Sequence, residues 1–207
     1  MRVLMLESHP GVASGAVARL TEAGHTIVRC DTADREYPCR GLAPGGQCPL
    51  DEPVDVAVLV QEAGTAQVEP GAVCAARARI PVLEVTGAEA AVRSPLAAWV
   101  APSGPDLLAA CERVARDGRA HTRAIEERLV ALGVVDRAEI GRSGPVTIDV
   151  VRSANRLQLT IRLDDAARSR RMEIVRAATQ ALRDFDPRPA VIDVAVRAAE
   201  PVGSVLA

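Results

Sequence analysis

Short apolar runs alternate with amphipathic stretches through the first half of the chain. Apolar runs of strand length occur five times, at residues 2–7, 26–30, 54–60, 80–86 and 97–101. Helical spacing of apolar residues, with proline or glycine at the ends, predicts helices at residues 12–23, 69–78 and 104–117. Such alternation is typical of parallel sheets covered by helices. We therefore predict an α/β domain over residues 1–118, built on a five-stranded, doubly wound parallel sheet.

The pattern changes after Gly118. A helix is predicted at 119–132, and two segments with alternating apolar and polar residues, 145–151 and 156–163, predict an antiparallel hairpin. Asp164 or Asp165 can cap a helix that continues to about 184, and a last alternating strand follows at 190–197. This order predicts a small α+β domain with a three-stranded sheet at 119–200, followed by a loose tail at 201–207.

A loop rich in proline and glycine, residues 30–53, lies inside the first domain and carries three evenly spaced cysteines. Cys30, Cys39 and Cys48 are separated by eight residues each. Thiolates are ligands for zinc and for iron–sulfur clusters. His9, in the first strand–helix loop, or Cys74, on the helix predicted at 69–78, is a candidate fourth ligand.

No pair of these cysteines has the CxxC spacing by which zinc sites are recognised. The alternative interpretation therefore stays open. Cys30, Cys74 and Cys111 are then small buried apolar residues, as free cysteines commonly are. On that interpretation Cys39 and Cys48 are loop thiols able to form a redox pair.

Composition excludes several classes of function. The only aromatic residues are Tyr37, Trp99 and Phe185, too few for a surface that stacks nucleic-acid bases. All 25 basic residues are arginine, which excludes lysine Schiff bases and the lysine of phosphate-binding P-loops. The net charge is −2 and the chain has no strongly basic tract, so we predict no nucleic-acid partner.

His25 and His121 are expected at surface or capping positions.

The amino terminus enters a strand-like run directly, and no apolar run is long enough to cross a membrane. We therefore expect a cytoplasmic protein without a membrane span. In that compartment the cysteines are expected to be reduced or bound to metal.

Four segments of the first half resemble the receiver domain of response regulators, the CheY-like family. They are EAGHTIV, PVDVAVLV, IPVLEVTG and WVAPSGPDLLAACERV, which match the second to fifth strands and the last helix of that family. The resemblance implies a flavodoxin-like fold. It also implies that Thr86 stands where receivers keep a hydroxyl residue in contact with the phosphoryl group.

The residues that carry receiver chemistry are replaced. A receiver has an aspartate nucleophile at the end of its third strand and acids after its first strand that hold magnesium. Here the third strand runs into Val60 and Gln61, and Glu7 stands alone after the first strand. Ala101 occupies the position of the family's lysine. These departures predict a pseudo-receiver that cannot be phosphorylated. The alternative is that Glu7 and Glu62 still bind a metal or phosphate.

The second half faintly resembles the alkaline-shock-protein family of small α+β proteins. The segments that carry the resemblance are VTIDVV, RLQLTIRL, MEIVRAATQALRDF and VIDVAVR. The resemblance implies a role in assembly or interaction rather than catalysis.

Three functions are compatible with these features. The first is a non-catalytic signalling or interaction protein that binds a protein partner or itself, through a sheet edge or its helices. The second is a metal or thiol redox sensor that uses Cys30, Cys39 and Cys48. The third is a small-molecule-binding enzyme at the carboxyl edge of the parallel sheet. The residues expected to line that edge are Glu7, His9, Gln61 and Thr86.

Overall fold

The structure is a computed structural model of the 207-residue chain. It describes residues 1–30, 39–61, 69–86, 94–97, 99–102, 106–141, 144–153, 155–165 and 167–198. The chain divides into two compact units, Met1–Arg116 and Asp117–Ala207. Within the described ranges, no helix has the length and apolar character needed to cross a bilayer.

The described residues of the first unit form five strands and three α-helices. In chain order they are β1 (Arg2–Glu7), α1 (Ser14–Glu22), β2 (Thr26–Arg29), β3 (Val56–Val60), α2 (Pro70–Arg77), β4 (Val82–Thr86), β5 (Trp99–Pro102) and α3 (Leu107–Ala115). All neighbouring strands are parallel, in the order β2-β1-β3-β4-β5. This is the strand order of flavodoxin-like doubly wound folds, and the predicted fold class is confirmed.

Helices cover both faces of this sheet, which explains why its central strands are apolar throughout. All five residues of β3 are buried. On one face Val58 packs in a cluster with Leu20 of α1 and Leu107 of α3. On the other face Leu59 packs in a cluster with Ala72 of α2. Strands buried on both faces are expected where parallel strands are joined by crossover helices.

Local signals set the helix ends. Pro70 occupies the first turn of α2, and the side chain of Glu69 accepts a hydrogen bond from the Ala72 amide at 3.0 Å. Gly24, with a φ of +79°, follows α1. The fifth strand lies at Trp99–Pro102, slightly later than the predicted 97–101.

The second unit contains α4 (Arg119–Ala131), β6 (Val146–Ser153), β7 (Arg156–Leu163), α5 (Arg171–Phe185) and β8 (Val191–Ala198). Its sheet has the order β6-β7-β8. The pair β6–β7 is antiparallel, which confirms the predicted hairpin. The pair β7–β8 is parallel because α5 crosses over between the two strands. Both helices contribute buried residues to one core, among them Ile125, Leu129, Ile174 and Leu182.

The α5 helix starts later than the acidic pair suggests. The Asp164 carboxylate accepts a hydrogen bond from the Ala167 amide at 2.9 Å. A 3-10 helix, Arg168–Arg170, then leads into α5 at Arg171. Asp164 thus bonds to the turn that precedes this 3-10 helix, and the α-helix proper follows.

Candidate functional site

The carboxyl edge of the parallel sheet brings the ends of three strands together. Glu7 ends β1, and Val60, which ends β3, is its direct neighbour in the sheet register. Gln61 follows Val60 and is 8% exposed. Thr86 ends β4 beside Pro102 of β5. Glu7, Gln61 and Thr86 therefore share one edge, as parallel strands require.

Both oxygens of the Glu7 carboxylate are engaged by the protein itself. Oε2 accepts hydrogen bonds from the backbone amides of Gly11 at 3.1 Å and Ala13 at 3.2 Å. Oε1 forms an ion pair with the Arg29 guanidinium at 2.6 Å. The Glu7 side chain is only 6% exposed. Its carboxylate therefore organises the loop between β1 and α1 and neutralises Arg29.

The described residues at this edge do not fit the magnesium ion that the receiver resemblance implies. Magnesium needs oxygen ligands, usually one or two carboxylates. The Glu7 oxygens face a guanidinium and two amides, and the adjacent Val60 offers no side-chain oxygen. Ala101 is buried beside Val85 and supplies no cation. Glu62 lies outside the described residues.

His9 is on the exposed start of the loop that follows β1. Its Nδ1 atom lies 3.3 Å from Oγ of the neighbouring Ser8. The side chain is at the surface of the loop organised by Glu7.

The loop at residues 39–53 folds back on the end of β2 and brings cysteines together. The Arg40 amide donates a hydrogen bond to the Cys30 carbonyl oxygen at 2.6 Å. Gly41 lies against Cys48, since a Cβ atom on Gly41 would be 3.0 Å from the Cys48 Cβ. Cys39 packs on the buried cluster that contains Cys30. Residues 31–38 of the predicted loop lie outside the described residues.

The same buried cluster includes Ala72 and Ala75 of α2, the helix that carries Cys74. Burial raises the pKa of the Cys30 thiol to about 12, and the negative charges of Cys39, Cys48, Glu69 and Cys74 add to the increase. Three cysteines and one carboxylate therefore lie within electrostatic range of Cys30. Cys74 is among the groups whose charge raises the pKa of Cys30, and His9 is not.

Proximity is not yet coordination geometry. In the part of the chain that the structure describes, no three or more His, Cys, Asp or Glu side chains are placed to hold a metal ion together. Cys30 is buried and Cys74 is exposed, with Cys39 and Cys48 between these extremes. A metal ion bound by all four cysteines would require the thiols of Cys39, Cys48 and Cys74 to turn towards Cys30.

A polar cleft of about 450 Å³ lies between β2 and this loop. Its lining includes Arg2, Arg29, Arg40, Cys48, Asp51 and Glu52. Arg2 is paired with Glu52 at 2.6 Å, and Arg29 with Glu7. Two of the three arginines that line the cleft, Arg2 and Arg29, are therefore already neutralised by carboxylates.

Buried polar residues in the described part of the chain include two features that the sequence did not reveal. His121 and Asp186 are both 2% exposed in the second unit, and the expectation that His121 is a surface or capping residue is wrong. Its helical spacing with the buried Ile125 and Leu129 was the available signal, because residues four apart share a helix face. The acidic partner lies 65 positions away and gave no local signal.

The other feature is Glu84, which is fully buried on β4. Its Oε2 atom accepts a hydrogen bond from the Ser94 amide at 2.8 Å. Its Oε1 atom has no hydrogen-bond partner in the described part of the chain. Glu84 lies between apolar residues of β4, so the apolar pattern predicted the strand correctly. The pattern did not reveal that the Glu84 side chain is buried.

The chain was compared with models of protein families, with curated proteins and with solved structures, and none of the three comparisons finds a match. The contacts described above are therefore the basis for any functional assignment.

Proposed function

We propose that the protein is a non-catalytic signalling or interaction protein built on a receiver-like unit that cannot carry a phosphoryl group. The observation that carries the proposal is the Glu7–Arg29 ion pair at the carboxyl edge of the sheet. A receiver uses this place to gather carboxylates around a metal ion. Here a guanidinium holds the carboxylate, and its neighbour in the sheet is Val60.

Phosphoryl transfer develops negative charge that a metal ion and a cation must stabilise. The charge of Arg29 is already neutralised by Glu7, and Ala101 stands where a receiver has lysine. Thr86 alone remains from the receiver set. A scaffold with the strand order of a receiver and without its charges is suited to binding a partner rather than to turnover.

The test is incubation of the full chain with acetyl phosphate and magnesium, followed by intact mass spectrometry. We expect no phosphoryl adduct under conditions that fully modify a competent receiver. The matched variant is Thr86→Ala, because Thr86 is the residue that would contact a phosphoryl group. A stoichiometric acyl-phosphate adduct on the wild type would overturn the proposal, whether or not Thr86→Ala lowers its yield.

A second candidate, a thiol or metal sensor, is favoured by the grouping of Cys30 with Cys39, Cys48 and Cys74. Thiolates that are brought together can bind zinc, or two thiols can form a disulfide by losing two protons and two electrons to an oxidant. The exposed Cys74 and half-buried Cys39 and Cys48 give solvent access that Cys30 lacks.

This candidate is tested by the zinc and iron content of protein purified without oxygen, and by disulfide mapping after treatment with diamide. The variants are Cys39→Ser and Cys74→Ser, with Cys111→Ser as the matched control because Cys111 is buried on the opposite face of the sheet. Metal or disulfide lost in the first two variants and kept in the control supports the sensor. Absence of metal and of any disulfide in the wild type excludes it.

A further inference from the structure

The last strand of the second unit, β8, is a long strand at the edge of its sheet. It pairs with β7 on one side, and within the described residues no strand pairs with its other side. Ile192, Val194 and Val196 are in register with the buried Leu157, Leu159 and Ile161, so they belong to the core face of the sheet. Yet Val194 is 38% exposed. A long edge with exposed apolar residues is a template for strand pairing.

The hydrogen-bonding groups of β8 alternate between its two sides. The Val191 amide donates to the Asn155 carbonyl oxygen, on the β7 side, at 3.3 Å. Because successive residues point their backbone groups in opposite directions, the odd-numbered residues bond to β7. Ile192, Val194 and Val196 therefore direct their amide and carbonyl groups to the outer edge.

The charges along β8 are arranged symmetrically about Ala195. Asp193 precedes it by two residues and Arg197 follows it by two, and both lie on the sheet face opposite the core. Asp193 is paired with Arg156 of β7 at 3.3 Å, with both side chains about half exposed. Arg197 lies directly opposite Arg162 of β7.

Like charges at directly opposed positions destabilise a sheet. No hydrogen bond or ion pair of Arg162 or Arg197 is present in the described part of the chain. Arg162 and Arg197 therefore occupy directly opposed register positions, and neither has a carboxylate partner in the described part of the chain.

We propose that the protein forms a dimer in which β8 pairs with β8 of a second copy, antiparallel, about a two-fold axis at Ala195. This register places Asp193 of each copy opposite Arg197 of the other. It also places Val194 opposite Val196, and these are the residues whose backbone groups point outward. The two three-stranded sheets become one six-stranded sheet.

The strand is its own complement in this register, which is why the partner is a second copy. Reversal of the Asp193-to-Arg197 segment exchanges the acid and the base, so two ion pairs form. Both pairs occupy non-hydrogen-bonded positions, where opposed side chains are closest. The incoming Asp193 also supplies the carboxylate that Arg162 and Arg197 lack. The inference stands apart from the proposal for the first unit, because all its residues lie in the second.

The test is charge reversal at the two positions, with the full chain measured by sedimentation velocity over a range of concentrations. We expect the wild type to be a dimer. In Arg197→Asp, acidic residues oppose each other at both 193–197 positions of the dimer. In Asp193→Arg, basic residues oppose each other there. Each single variant is expected to weaken dimerisation at least about 100-fold, since opposed like charges cost several kcal/mol.

Complementation gives the decisive result. A mixture of the Arg197→Asp and Asp193→Arg proteins restores two opposite-charge pairs, so two monomeric variants are expected to form a heterodimer. The double variant, with both substitutions in one chain, is expected to dimerise again. Asp149→Arg is the matched control, because Asp149 is an exposed acid on β6, two strands away, and the same change of charge there should leave the dimer intact.

Folding is checked by circular dichroism. Arg197→Asp is the safer single variant, since its new carboxylate pairs with Arg162 within the monomer. If Asp193→Arg does not fold, Arg197→Asp and the double variant still decide the question. A wild type that is monomeric at all concentrations overturns the proposal. So does a dimer that survives Arg197→Asp, or one that Asp149→Arg weakens equally.

Discussion

Nε2 of His121 lies 3.0 Å from Oδ2 of Asp186, and both side chains are almost completely buried in the second unit. A carboxylate only accepts hydrogen bonds, so Nε2 carries the donated proton. The imidazole ring also meets Phe185 edge to face, with 5.2 Å between ring centroids. The pair joins α4 to the residue that follows α5, and Nδ1 of His121 has no hydrogen-bond partner in the described part of the chain.

His121→Phe is expected to destabilise the second unit by about 3 kcal/mol. The phenyl ring keeps the apolar contacts of His121 but leaves Oδ2 of Asp186 buried without its donor, and an unsatisfied buried acceptor costs about 1–3 kcal/mol, or more when it is charged. Urea unfolding at neutral pH measures the loss. The double variant His121→Phe/Asp186→Asn closes a double-mutant cycle. Losses that simply add would show that the two side chains are not coupled.

The same pair predicts a pH dependence. Burial acts to raise the pKa of Asp186, but the hydrogen bond from His121 and the charges of Arg188 and His121 outweigh it, so the pKa is below its ordinary value. A carboxyl group with a lowered folded-state pKa stabilises the fold above its unfolded pKa, about 4. That stability is lost as the pH falls through the folded-state pKa.

Urea unfolding of the wild type and of Asp186→Asn from pH 7 to pH 3 measures this contribution. The wild type is expected to be more stable at pH 7, and the difference between the two is expected to shrink below about pH 4. A difference that stays constant over the whole range would contradict the lowered pKa of Asp186.

Local periodicity was sufficient to predict the elements and the parallel sheet, because buried strands such as β3 are apolar throughout and helices repeat every 3.6 residues. It could not predict Glu7–Arg29 or His121–Asp186. These pairs join residues 22 and 65 positions apart, and their geometry depends on packing that no local pattern encodes. A shared site for Cys30, Cys39 and Cys48 stays a prediction. The alternating pattern of β8 did not reveal that its outer side pairs with no strand in the described part of the chain.

Two ion pairs of equal length should differ in energy because they differ in burial. Glu7–Arg29 and Glu52–Arg2 both have 2.6 Å between their charged atoms, but the Glu7 side chain is 6% exposed and that of Glu52 is 66% exposed. Glu7→Ala also leaves the backbone amides of Gly11 and Ala13 without their acceptor. We expect it to lower the free energy of unfolding by about 2–3 kcal/mol. Glu52→Ala should cost less than about 1 kcal/mol. Thermal unfolding at low and high salt compares them, and equal losses would contradict the role given to Glu7.

The five thiols should react in an order set by burial and charge. Burial raises the pKa of both Cys30 and Cys111 to about 12, and only the thiolate is nucleophilic. Cys74 is exposed. Iodoacetamide at pH 8 is expected to modify Cys74 first and to leave Cys30 and Cys111 unmodified until the protein unfolds. Peptide mass spectrometry over time measures the order, and early modification of Cys30 would show that the loop opens.

Two glycines that flank α4 should tolerate substitution differently, since each is required for its own reason. A Cβ atom on Gly118 would overlap the carbonyl oxygen of Val150, although its φ of −100° suits any residue. Gly133 has open space around it but a φ of +65°. Gly118→Ala is therefore expected to cost about 3 kcal/mol through the clash. Gly133→Ala is expected to cost about 1 kcal/mol through backbone strain.

Asparagine separates the two causes. It adopts positive φ more readily than alanine, so Gly133→Asn should be milder than Gly133→Ala. At Gly118 the larger side chain brings no relief, because the clash begins at Cβ, and Gly118→Asn should be at least as destabilising as Gly118→Ala. Urea unfolding of the four variants gives the comparison. If asparagine rescued position 118 as well, α4 and β6 would have to be farther apart than the contact between Gly118 and Val150 requires.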